Sequence, residues 1–139
     1  MAGGVRSIAG FFVMLFWTFF WLLNGLDKFF NAPGFFGRDW APEFGEMFET
    51  LGLSGLATPA MYGVAVFEVA LGVAFLIVLF TRASSGQLLS LAYGGILVLF
   101  SLFIVGNILV GAGDEMLEHI TYIILAVVTF ELVLMPRSK

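Results

Sequence analysis

Four apolar runs, each close to the ~20 residues an α-helix needs to cross a ~30 Å hydrocarbon layer, decide what this chain can become. They extend from about Ile8 to Leu26, Pro59 to Phe80, Leu88 to Ile108 and Met116 to Met135. In lipid, backbone N–H and C=O groups must find partners within their own segment, so runs of this length read as helices. A barrel strand would place a polar residue at every second position, and these runs do not. The expected fold is an all-α membrane protein, a single four-transmembrane-helix bundle over residues 1–139. With 60% hydrophobic and 12% charged residues, a chain of this size has more apolar surface than one soluble core could hide.

Arg6 ahead of the first run also suits a signal peptide. The run is longer than a usual signal core, however, and no small-x-small site closely follows Leu26. A true span is therefore expected. Lys and Arg set its direction. Arg6, Arg82, Arg137 and Lys139 fall on one side with no acidic residue beside them. Lys28 and Arg38 fall on the other, among Asp27, Asp39, Glu43, Glu46, Glu49, Asp114, Glu115 and Glu118. The first side, which carries both termini, is expected to be cytoplasmic, and the membrane is expected to be a bacterial inner membrane.

The second connection, Thr81 to Gly86, and the third, around Gly111 to Asp114, are tight and imply antiparallel neighbours. The first, Asp27 to Thr58, is long and aromatic. Within it Phe44, Met47, Phe48 and Leu51 recur at helical spacing, with Pro42 suited to a first turn. This predicts a short amphipathic helix at the outer surface, anchored by its rings and placed to lid the bundle. No basic strip suits nucleic acid.

Ionisable residues inside a span are costly and need a reason. Glu68 lies near the middle of the second run, too deep for a short carboxylate to reach water. Its helical neighbours Ala65 and Gly72 are small, which turns this face toward another helix and not toward lipid. Desolvation then requires either a proton or a cation at the carboxylate. Candidate company comes from Lys28, on a stripe with Trp17, Trp21 and Asn24; from His119, on a stripe with Tyr122, Ala126 and Thr129; and from Asn107. Glu131, near the inner end of the fourth run, is expected to be neutralised by Arg82 or Arg137.

Each of these residues also has a plain structural use. Glu68 can tie two helices together, Lys28 and His119 can reach the interface, and the Trp and Phe rings can simply pack. One histidine is a poor basis for a metal site, and none is expected. A third-run stripe of Gln87, Ser90, Gly94 and Ser101 reads as a helix contact, within this bundle or with another subunit. The chain has no cysteine, which excludes dithiol chemistry of the vitamin K epoxide reductase kind. It has no activated nucleophile pattern, phosphate loop or metal spacing, so the catalytic residues are unknown and an independent enzyme is not expected.

Three segments in order carry a family resemblance: Asn24-Gly25-Leu26-Asp27-Lys28-Phe29, Phe67-Glu68-Val69-Ala70-Leu71-Gly72 and Leu79-Phe80-Thr81-Arg82. Together they resemble the DoxX-like family of small four-helix membrane proteins, with Lys28, Glu68 and Arg82 as the residues that carry over. The resemblance implies an accessory subunit of a membrane redox complex, partnered by a catalytic subunit, with no covalent cofactor and with a quinone pocket. Two alternatives stand beside it, a purely structural membrane subunit and a small transporter. The transporter lacks inverted repeats or paired broken helices in its support.

Overall fold

The computed structural model describes residues 8–30, 39–81 and 85–134. The chain is α1 (Ile8–Phe30), α2 (Trp40–Thr50), a 3-10 turn (Ser54–Leu56), α3 (Ala57–Phe80), α4 (Ser85–Val110) and α5 (Gly113–Leu134). α1, α3, α4 and α5 are long and apolar enough to cross a membrane, so this is a multi-pass integral membrane protein. Their outer surfaces carry exposed Phe, Leu, Ile and Val, as lipid-facing surfaces do.

α1 continues a full turn beyond the expected end at Leu26. The charged pair Asp27–Lys28 does not stop it, because both side chains are buried at 2% exposure and find partners on other helices. Asp27, counted from sequence as an outer-loop charge, is an interior residue.

Glycine fixes the pairing of α1 with α3. A methyl group at Gly25 would lie 2.7 Å from Val69 Cγ2 and 2.8 Å from the Ala65 carbonyl oxygen. At Gly72 it would lie 2.8 Å from the Leu22 backbone nitrogen. The two backbones are thus in contact through two glycines, one on each helix, as small residues permit. α4 and α5 form the second close pair, joined by a turn with Gly111 at φ 77°. The Ala112 N–H donates to the Asn107 carbonyl at 2.9 Å, closing the helix as a left-handed C-cap requires.

The two pairs join over Met14, Trp17, Trp21, Phe75, Tyr93, Ile96 and Phe100. In this core Thr129 is a polar hub. Its hydroxyl accepts from Trp17 Nε1 at 3.0 Å and from Tyr93 Oη at 3.2 Å, and donates to the Leu125 carbonyl at 2.7 Å. One proton and two lone pairs are all in use, which links α1, α4 and α5 without an orphaned group. The third-run stripe does not face this core: Gln87, Ser90 and Ser101 are exposed, and nothing lies within 4 Å of a methyl placed on Gly94. Gly95, one residue on, is the close-packed one, against Leu71 and Phe67.

Candidate functional site

The close approach of α1 and α3 positions the most buried charges. Gly25 sits one turn before Lys28, and Gly72 one turn after Glu68, so the glycine contacts bring these two long side chains together. Lys28 Nζ donates to both Glu68 oxygens, at 3.0 and 2.8 Å, with each side chain 3% exposed. A third donation reaches the Asn24 carbonyl at 3.4 Å. Asn24 lies half-buried on the same face, its Nδ2 donating to the Phe20 carbonyl at 2.7 Å. The stripe of Trp17, Trp21, Asn24 and Lys28 does share one face of α1, and that face is internal.

α2 closes over this pair. Trp40 Nε1 donates to Asp27 Oδ2 at 2.6 Å, while the Trp40 ring lies 3.7 Å from Lys28 Nζ. One indole thus engages two consecutive charges of α1, by a charge-assisted hydrogen bond and by a cation–π contact. Just past the end of α2 the chain turns at Gly52, φ 70°, and Leu53 N–H reaches back to the Phe48 carbonyl at 2.7 Å. Phe44, Met47, Phe48 and Leu51 are half-buried on the face toward the bundle, with Met47 Sδ against Gly106 of α4.

The second polar group belongs to α4 and α5. Asn107 and His119 stand equally far from Gly113 along the hairpin, so antiparallel pairing sets them opposite each other. Asn107 Nδ2 lies 3.0 Å from His119 Nδ1. The imidazole is flanked by Phe103 at 5.1 Å and Phe100 at 5.7 Å, and Phe100 stacks on Tyr122 at 5.3 Å.

Between these two groups, beneath α2, is a cavity of about 670 Å³. Lys28, Glu68, Asn24, Asn107 and His119 all line it, but as two separate clusters on its walls. Eight rings (Phe20, Trp21, Trp40, Phe44, Phe48, Phe100, Phe103 and Tyr122) and four carboxylates (Glu43, Glu46, Glu115 and Glu118) also line it, beside aliphatic residues such as Leu51, Val64 and Leu102. Two fully buried polar atoms in this lining have no hydrogen-bond partner among the described residues, the Trp21 indole N–H and the Asn107 carboxamide oxygen.

Glu131 lies apart from all of this, exposed on the surface of α5 near the opposite end of the bundle. Arg82 and Arg137, its expected partners, are outside the described residues. Among the described residues no three His, Cys, Asp or Glu side chains gather as a metal would require. Sequence reasoning missed the Asp27–Trp40 contact and the Trp21 N–H. The helical spacing of Phe44, Met47, Phe48 and Leu51 pointed to an amphipathic helix placed to lid the bundle, but not to the Trp40 contacts with Asp27 and Lys28.

No family model matches this chain, and neither does any curated protein or solved structure.

Proposed function

We propose that this protein is an accessory membrane subunit that holds a small amphiphile in one half of its bundle, roofed by α2. The observation that carries this reading is the cavity. Its volume of about 670 Å³ falls within the range of small-molecule sites, and its mixture of ring faces and a few polar groups is the usual lining of one. A cavity at this depth loads from the membrane or from the aqueous end under α2. The acidic end of the bundle, which bears α2, faces away from the cytoplasm by the distribution of Lys and Arg. α2 then lies at the outer membrane surface.

The DoxX-like resemblance implies a redox partner and a quinone. The lining fits a quinone only in part. A ring carbonyl would accept from the Trp21 indole and its ring would lie well among Phe100 and Tyr122. A quinone has no donor for the Asn107 oxygen, however, which has no partner among the described residues. The partner is the more portable part of the implication. Gentle solubilisation from native membranes followed by identification of copurifying polypeptides tests it: a cofactor-bearing oxidoreductase subunit is the expected companion. Recovery of the chain alone under several mild detergents would contradict the accessory role.

A second reading, a purely structural subunit, draws on the mutual saturation of Lys28 and Glu68, which leaves neither charge for chemistry. Under it, His119→Ala would leave the activity of the assembly intact. Under the first, that substitution, made in the wall of the cavity, lowers it.

A further inference from the structure

Among the described residues, three buried side-chain atoms have no hydrogen-bond partner: Trp21 Nε1, Asn107 Oδ1 and Asp27 Oδ1. Trp21 and Asn107 line the cavity, and Asp27 does not. Both lining residues are 1% exposed. A polar atom shut away from water without a partner is costly, so two of them in one cavity wall need a physical reason.

The two are of opposite kinds. The indole N–H can only donate, and the carboxamide oxygen can only accept. Packing gathers them around one ring. Phe100 lies 5.3 Å from the Trp21 ring and 5.7 Å from the His119 ring, whose Nδ1 stands 3.0 Å from Asn107 Nδ2. That contact engages the nitrogen end of the carboxamide and leaves the oxygen as the end to be met. The donor thus comes from α1 and the acceptor from α4. A ligand that satisfies both must give a proton to one wall and a lone pair to the other. A ketone or a quinone has lone pairs only, whereas a hydroxyl has a proton as well. Phe100 and Tyr122, stacked at 5.3 Å, offer ring surface to the rest of such a molecule.

We propose that the cavity binds a lipophilic alcohol whose hydroxyl has a second oxygen close by, as in a glycol ether or a partial glyceride. The hydroxyl donates to Asn107 Oδ1, the neighbouring oxygen accepts from Trp21 Nε1, and the apolar body lies along Phe100 and Tyr122. Both polar atoms are fully buried, so the polar end seats into the wall, with a small turn of the indole and the carboxamide. This inference rests on the cavity being a binding site, and it names a hydroxyl compound where the family resemblance implies a quinone.

The test uses the full-length protein in phosphatidylcholine vesicles, a lipid with no hydroxyl to compete. Three probes are titrated: a bromophenyl-alkyl glycol monoether, its methyl-capped form, which accepts but cannot donate, and the bromophenyl-alkane, which does neither. Quenching of tryptophan fluorescence by the bromine is the readout. Trp17 and Trp21 are buried away from the surrounding lipid, so saturable quenching reports probe inside the bundle. Affinities are expressed per probe dissolved in the bilayer. The monoether is expected to bind about fivefold more tightly than its capped form, and the capped form about fivefold more tightly than the alkane, one hydrogen bond at each step. Asn107→Leu should erase the first step. Trp21→Phe, which keeps a ring and leaves Trp17 and Trp40 to report, should erase the second. Saturable binding that is equal for the monoether and its capped form overturns the hydroxyl assignment while the cavity stands as a binding site. No saturable binding of any probe overturns the binding-site reading as well. The ratio between monoether and capped form is measured on the unaltered protein, so it decides the matter whether or not either variant folds.

Discussion

A carboxylate and an ammonium buried side by side in a membrane protein are stable only together. Each alone faces a desolvation cost of several kcal/mol, and their attraction offsets it when the geometry is good and the remaining protons are used. Lys28 meets that condition, with two bonds to Glu68, one to the Asn24 carbonyl and the Trp40 face above it. Removing one partner therefore does more damage than removing both. Lys28→Met or Glu68→Leu alone should each destabilise the fold by roughly 3–5 kcal/mol, and the double variant should recover most of the loss. Denaturation of the four proteins in one detergent gives the cycle. Small, additive single effects would mean that the two side chains are solvated and not paired.

At the scale of the element, glycine decides which helices can touch. Gly25→Ala places a methyl 2.8 Å from the Ala65 carbonyl oxygen, a backbone atom that cannot rotate aside. α1 must then move off α3 and stretch the Lys28–Glu68 contact, at an expected cost of about 1–3 kcal/mol. Gly94→Ala meets nothing within 4 Å. It should be neutral, or stabilising by up to ~1 kcal/mol through helix propensity. Equal losses at the two positions, measured by unfolding in detergent, would contradict the packing of α1 on α3.

Much at this scale was legible beforehand. The apolar runs gave four spans because composition alone forbids another solvent, and Ala65 and Gly72 turned Glu68 inward. Sequence periodicity gives the face of one helix but not the rotation of a neighbour, so Lys28 stood only as one candidate partner among several. Asp27 was misplaced for a related reason. A charge beside a long loop looks solvated until α2 folds back and supplies the Trp40 indole. The stripe through Gly94 was expected to be a helix contact, within this bundle or with another subunit; within the bundle the close glycine of α4 is Gly95, turned toward α3.

For the whole molecule, the arrangement of charge is directional. The absence of cysteine from the chain makes topology simple to read. Glu49→Cys should react with a membrane-impermeant maleimide added outside intact cells, and Lys139→Cys should react only after permeabilisation. The reverse pattern would invert the bundle and place α2 and the cavity at the cytoplasmic side. With α2 outside, the molecule presents an aromatic-lined cavity beneath a short roof helix, and it rests on an interior ion pair.

Native mass spectrometry of the gently solubilised protein is the most direct measurement of whether that cavity holds a ligand. One small amphiphile per chain is expected on the unaltered protein, and it should be absent from Gly106→Trp, in which an indole is driven against Met47 and into the space beneath α2. A bare chain, or an adduct retained equally by the filled variant, would contradict the account.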